Sequence, residues 1–498
     1  MFSSPLDYLR RTLPAHRDKI VYSDETASLT FAQVADLALA VGSFLVDRAA
    51  PCSGVVVMSG RHVYTPVAYL GVATAGCFYI PMDASLPVSR LNSILGVAQA
   101  GHMIVDRENL AVAQSLDYHG RIYVLEELLE TPRRPEEVRR VTEHLNEDIP
   151  LYTIFTSGSS GTPKGVVTSH RALMNYIDAV ARVLAMTEDD VLGNQSPLDY
   201  IAAVRDIYLP LKLGASTVIL PKNQFAMPVD LFRTLNEKRV TVLCWSVAGV
   251  ELPARLHAFD YARPEHVRTV LFSGSVMPCK YLRIWQDALP GARFINQYGP
   301  TETTASCTYY EVEGPVDENT VLPIGVPYDN YSVFLLSPEG KAVPDGELGE
   351  ICVSGPSLAL GYYRDPERTA LSFIQNPLND RYFERIYKTG DIGRVREDGL
   401  LEFHGRNDRQ VKHQGHRVEL GEIEVTAMSL PGVGECCAMY KNEKISLVYA
   451  GEAKEKEIQL AFRERLPLFM MPRKVLRVDA LPKLPNGKLD MQTIGALI

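Results

Sequence analysis

The sequence predicts an α/β protein. A large N-terminal domain of layered α/β subdomains, with a small β-rich subdomain, precedes a small α+β C-terminal domain. Three observations lead there. Short apolar runs rich in β-branched residues alternate with helix-like segments over most of the 498 residues, the pattern of parallel sheets in α/β layers. After about Pro323 the texture changes to short strand-like runs separated by turn signals such as Pro338-Glu339-Gly340, Pro344-Asp345-Gly346 and Glu397-Asp398-Gly399. Near Gly405-Arg406-Asn407-Asp408 the chain turns polar and charged. The roughly 90 residues beyond it suffice for a small separate domain. The expected domains are 1–407 and 408–498.

Taken in order, Val55-Val56-Val57-Met58 reads as a buried strand. Residues 62–81 are the most membrane-like stretch. Tyr64, Thr65, Pro66, Gly71, Gly76 and Tyr79 interrupt it, so it lacks the run of about 18 apolar residues that a span needs. It reads as a buried helix, a turn at Ala75-Gly76 and a strand. Arg133-Arg134 and Arg139-Arg140 alternate with Glu136 and Glu137, as on a solvated helix face. Leu151-Tyr152-Thr153-Ile154-Phe155 is strand-like, as are 217–220, 240–243 and 269–272. Beyond the junction a helix is expected over 419–430, a strand over 445–448, a helix over 455–466, then a lysine-rich tail. No internal repeat or long low-complexity tract is present.

Hydrophobic residues at 46% and charged residues at 22% are ordinary for a globular chain. A net charge of −9 gives a nucleic-acid partner no electrostatic support, and no membrane association is expected. The eight cysteines are scattered apart from Cys436-Cys437 and form no Cys-x2-Cys or Cys/His grouping, so zinc is not expected and reduced cytosolic thiols are. The N-terminal residues carry no basic-then-apolar signal, and a cytoplasmic location follows as the expectation.

The most informative segment is Thr156-Ser157-Gly158-Ser159-Ser160-Gly161-Thr162-Pro163-Lys164-Gly165. Glycines let backbone N–H groups approach an anion, hydroxyls donate, and lysine supplies a point charge. It is not a Walker A loop, because Pro163 and not glycine precedes the lysine. A flexible linker would not end in Pro-Lys-Gly directly after a strand.

This decapeptide resembles the phosphate-binding signature of the adenylate-forming superfamily, which includes adenylation domains of nonribosomal peptide synthetases and acyl-CoA synthetases. Further landmarks follow in that family's order. Residues 74–83 resemble its early structural motif. Then come Asn296-Gln297-Tyr298-Gly299-Pro300-Thr301-Glu302, Gly346-Glu347-Leu348-Gly349-Glu350, Tyr387-Lys388-Thr389-Gly390-Asp391, residues 405–412, and Asn486-Gly487-Lys488. The resemblance implies that a carboxylate attacks the α-phosphorus of ATP and pyrophosphate leaves. Both reactants are anions, so the site must supply positive charge and donors. Thr156–Lys164 would grip the pyrophosphate portion. Glu302 would hold Mg2+, with Thr301 donating to the α-phosphate. Tyr298, beside Gly299, would stack on adenine, Asn296 would lie near its amino edge, and Asp391 would accept from both ribose hydroxyls. Arg406 would sit near ribose and phosphates. Lys488 would bridge the acid carboxylate and the α-phosphate. Asp408 matches the hinge about which the small domain rotates between half-reactions. Lys488 would then leave and residues 412–417 enter, with Gly415 letting a pantetheine thiol approach. His413-Gln414 departs mildly from the commoner pattern there. His170 lies near the acid pocket or simply starts a helix.

For the acid, members that activate amino acids carry an aspartate against the α-ammonium group. Ungapped alignment of 197–215 puts Ile201 at that place, beside Tyr200, and isoleucine cannot neutralise a buried ammonium. Asp199 could substitute only with a two-residue shift. The pocket pattern continues through Ala202, Arg205, Cys244, Leu271, Ser273, Gln297, Ala305 and Ser306. Arg205 would bind a second anionic or carbonyl group on the acid, or pair with Asp206 or another carboxylate at the pocket rim. The expected enzyme is a stand-alone adenylating ligase. It would use ATP and Mg2+ to activate a carboxylic acid other than a standard α-amino acid and load it onto a separate carrier protein's phosphopantetheine. Free CoA as acceptor, an amide ligase, and a catalytically dead scaffold are the rivals.

Overall fold

The computed structural model describes residues 4–143, 146–158, 161–483 and 489–498. Two large sheets carry the N-terminal part. One is seven-stranded, in the order Gly361–Tyr362, Lys164–Ser169, Pro150–Thr156, Phe78–Pro81, Gly54–Met58, His102–Val105, Arg121–Val124. Gly54–Met58 pairs in parallel on both sides and is buried on both faces, which is why it reads as an unbroken apolar run. The helix Tyr64–Thr74 is buried almost all round. Gly71 permits this, because a Cβ there would meet the Cβ of Val41 on the helix Phe31–Leu45 at 2.5 Å. The helix–turn–strand reading of 62–81 thus becomes helix 64–74 and strand 78–81.

The nine-stranded sheet is centred on Val191–Asn194, Val242–Ser246, Thr269–Ser273 and Arg293–Tyr298, neighbours in parallel register. The strand expected at 240–243 starts at Val242, because Val240 closes the turn after the helix Pro228–Glu237 by donating to the Leu235 carbonyl at 2.8 Å. One core runs through both sheets, with Val55, Tyr79 and Tyr152 from the first and Val242, Leu271 and Ile295 from the second. Tyr176 and Tyr208, from the helices His170–Leu184 and Val204–Leu213, belong to the same core.

The change in texture after Pro323 corresponds to an antiparallel five-stranded sheet built on Leu348–Ser354 and Arg385–Val395. Beyond residue 408 come the hairpin Gln410–His413/His416–Glu419, three strands, and the helices Leu420–Met428 and Glu455–Arg465. Val418, Ile423, Leu447, Phe462 and Met470 give this part its own core. It docks on the helix Val88–Ala98. Ser89 Oγ donates to the Glu464 carbonyl at 3.1 Å, and Arg90 pairs with Glu422 with both side chains buried. The basic residues of 133–140 lie on a solvated face, Arg134 pairing with Asp47 and Glu137 and Arg139 with Glu136. No helix among the described residues is long and apolar enough to cross a membrane.

Candidate active site

The glycine- and serine-rich loop joins two antiparallel strands, with Thr156 opposite Lys164. Gly158 is obligatory there, since a Cβ would fall 2.0 Å from the Thr162 carbonyl oxygen. Thr156, Ser157 and Lys164 are buried, Gly161 takes φ +82°, and Thr162 is exposed. Ser159 and Ser160 lie outside the described residues, and so does Lys488.

Lys164 points across to Glu302, 3.4 Å away. Glu302 stands on a short 3-10 turn, Thr301–Thr303, directly after the strand Arg293–Tyr298. Thr304 and Ala305 follow it at φ +57° and +75°, a left-handed conformation that costs non-glycine residues energy. Thr304 Oγ1, donating to the Ser357 carbonyl at 2.7 Å, helps hold it. Glu302 is fully buried. It accepts from the Tyr362 hydroxyl at 2.8 Å and from Arg417 Nη1 at 2.7 Å. Burial would raise its carboxyl pKa, but Arg417 and Lys164 outweigh burial and hold it well below the usual carboxylate range. Burial, with Arg417 adding, lowers the Lys164 ammonium to about 8.

Arg417 comes from the C-terminal part. Its hairpin turns at Gln414-Gly415, both at positive φ (+52° and +81°), the signature of a two-residue type I′ turn. Ser157 Oγ donates to the Arg417 carbonyl at 2.7 Å and the Tyr200 hydroxyl donates to the Gly415 carbonyl at 3.0 Å. Lys412 Nζ lies 5.4 Å from the centre of the Tyr298 ring. The segment expected to enter the site is therefore in it. Tyr298 donates to Asp391, which also pairs with Arg406 across the adjacent strand. Arg406 binds Asp408 at 2.6 Å.

These residues close around a cavity of about 60 Å³. Thr301, Gly299, Asp391 and Arg406 line it together with Tyr200, Ile201, Ala202, Arg205, Ser273 and Ala305. Four expected pocket residues do not reach it. Cys244 and Leu271 are cross-strand partners sunk in the core, and Gln297 and Ser306 stand behind Arg205 and hold it in place. Asn296 also lies off the cavity, donating to the Pro323 carbonyl at 2.8 Å. The alternative pairing of Arg205 with Asp206 is not made. Adjacent helical residues face different ways, and Asp206 accepts from Asn194 instead at 2.6 Å. Asp199 does not line the cavity. It is half-buried near Asp83, and burial followed by that neighbour raises its carboxyl to about 7. His170 is the first residue of its helix, buried with Nδ1 3.0 Å from Ser4 Oγ, and does not line the cavity.

Arg417 was expected only as the last residue of the entering segment, with no partner named, and Tyr362 was given no role. Arg417 carried a signal, an arginine two residues past the turn glycine. Tyr362 carried none.

The phosphate hairpin, the buried Lys164–Glu302 pair and the Tyr298–Asp391 contact around one cavity define an adenylate-forming ligase, a class that uses ATP. The profile of the family described as AMP-binding enzyme matches residues 9–363, and the chain belongs to that family. It is 33% identical over 441 residues to a D-alanine–D-alanyl carrier protein ligase of Bacillus cereus (strain G9842), with 86% of each chain covered. It is 28% identical over 488 residues to tyrocidine synthase 1 of Brevibacillus parabrevis, covering 96% of this chain but 44% of that protein, so it spans less than half of that larger relative. The crystal structure of IdnL1 superposes with TM-score 0.83 at 25% identity, over 97% of this chain and 99% of that one.

Proposed function

We propose that this protein activates a carboxylic acid as its acyl-AMP and delivers the acyl group to the phosphopantetheine thiol of a separate carrier protein. In the first step a carboxylate oxygen attacks the α-phosphorus of ATP and pyrophosphate leaves. In the second, the thiol sulfur attacks the acyl carbonyl, AMP leaves with the bonding electrons, and the thiol proton is released. The supporting observation is Arg417, which pairs with Glu302 beside Lys164 and, with Thr301 and Asp391, lines a cavity whose other wall is Ile201, Ala202 and Arg205. The carrier is favoured over free CoA by the relative named as a carrier protein ligase.

In this reading residues 1–407 bind ATP and acid, residues 408–498 carry Lys488 and Gly415, and Asp408 is the hinge. Thr156–Lys164 and Arg406 hold phosphates, Tyr298 faces adenine and Asp391 holds ribose, whereas Asn296, turned to the Pro323 carbonyl, stays behind the cavity. An ionised oxygen donor at Glu302 fits Mg2+, which is commonly held through one carboxylate plus substrate phosphates, provided Arg417 has withdrawn. Mg2+ there would offset phosphate charge. Eight free cysteines accord with a cytoplasmic location.

The test is ATP–pyrophosphate exchange over amino, hydroxy, keto, aryl and dicarboxylic acids, followed by loading of carrier protein or CoA. Exchange with one acid class and faster loading of the carrier are expected. No exchange with any acid would refute adenylation, and CoA loaded in preference would refute the acceptor.

A further inference from the structure

Arg205 is 1% exposed, yet it lines the cavity. Its Nη1 donates to Gln297 Oε1 at 2.6 Å. Gln297 is fixed in turn by Ser306, whose hydroxyl donates to the same oxygen at 3.1 Å, and by the Tyr328 hydroxyl. The remaining donors, Nε and Nη2, are buried and have no hydrogen-bond partner among the described residues. These two atoms share one edge of the planar guanidinium, the edge that receives both oxygens of a carboxylate side-on.

Among the described residues no carboxylate forms an ion pair or hydrogen bond with that edge. Asp206 accepts from Asn194 through one oxygen and acts on Arg205 only through space. The phenols of Tyr176 and Tyr328 are pushed up by burial, so they stay neutral. A guanidinium this deeply buried is costly unless an anion meets it. Outside the hairpin the described cavity wall carries Arg406, which pairs with Asp391 and Asp408, so Arg205 is the wall's unpaired cation there. That charge attracts a second negative charge on the acid and repels an ammonium. Ile201, at the wall, offers an ammonium no counter-charge.

We propose, resting on the adenylation reading above, that the acid is a short dicarboxylic acid without an α-ammonium group. One carboxylate reacts with ATP. The other seats side-on against Nε and Nη2 of Arg205. Short follows from Arg205 and Thr301 lining the same cavity.

The experiment compares C3 to C6 dicarboxylic acids with their monoesters, with monocarboxylic acids of equal length, and with amino acids. Pyrophosphate exchange is measured for the wild type, Arg205→Lys and Arg205→Gln. A dicarboxylic acid should exceed its monoester in kcat/KM by on the order of 100-fold, and Arg205→Gln should collapse that ratio towards one. Arg205→Lys should keep part of the preference. The ratio is insensitive to a partly folded variant. Calorimetric binding of the free dicarboxylic acid, lost in Arg205→Gln, reads the same contact without catalysis. An amino or monocarboxylic acid as best substrate, or a ratio unchanged in Arg205→Gln, overturns the Arg205 assignment but leaves the ligase reading intact. Absence of both exchange and binding with every acid overturns both.

Discussion

At neutral pH Glu302 is an ionised carboxylate in a fully buried position. That is tolerable only because Lys164, Arg417 and Tyr362 surround it. Lys488 would meet the acid and the α-phosphate on the same reactants. Lys488→Ala is expected to cut pyrophosphate exchange by at least about 100-fold while still passing a presupplied acyl-AMP to the thiol. Retained exchange would remove Lys488 from the first step. His170 is a different case, for its place is structural. Burial, against the pull of Asp7, lowers its imidazole to about 4, below the ordinary value of about 6.5. The unfolded chain therefore binds the proton first. His170's contribution to stability is complete above pH ~6.5 and is lost as pH falls through 4, by about 2 kcal/mol at pH 5. His170→Gln should flatten the fall in melting temperature between pH 7 and pH 5. It should not abolish it, because burial lowers His416 to about 4 as well. Identical slopes for variant and wild type would show that His170 does not titrate in this way.

The decisive element is the hairpin Gln410–His413/His416–Glu419. Gly415 is at φ +81°, and a Cβ there would sit 3.4 Å from the Cβ of Ser246, an ordinary contact. Gly415→Ala therefore costs mainly the left-handed backbone, about 1–2 kcal/mol. Carrier loading should slow by roughly tenfold with exchange nearly unchanged, and equal losses in both assays would deny the hairpin a separate role. The sheets were legible because Val55-Val56-Val57-Met58 or Thr269-Val270-Leu271-Phe272 declares burial on both faces by composition alone. The hairpin was not. Its residues alternate polar and apolar only weakly, and Lys412, His416 and Arg417 are half-buried against Tyr298, Tyr200 and Glu302 from the preceding part, which no local pattern records. The loop 156–165 was legible as a glycine- and hydroxyl-rich segment but not as the connection between two antiparallel strands. The pocket was half legible: Ile201 and Arg205 line it, whereas Cys244 and Leu271 belong to strand faces that the core claims.

For the whole molecule, the C-terminal part is held in one arrangement by Arg90–Glu422, by Ser89 against Glu464, and by Arg417 on Glu302. Arg417 Nη1 reaches both oxygens of Glu302 and would compete with a metal ion there. On the proposed reading, in which Glu302 holds Mg2+, that competition would couple the arrangement of the C-terminal part to MgATP. The observed arrangement has the hairpin in the cavity, which on the same reading suits the thiol step. A short bis-maleimide bridging Ser89→Cys and Glu464→Cys, in a background with Cys52 replaced, should trap it. The trapped enzyme should lose acid-dependent pyrophosphate exchange by more than about tenfold while transferring a presupplied acyl-AMP to carrier protein at close to the untrapped rate. A large excess of MgATP added before the cross-linker should slow trapping. If the trapped enzyme exchanges pyrophosphate normally, both half-reactions run in one arrangement and the competition for Glu302 does not govern the cycle.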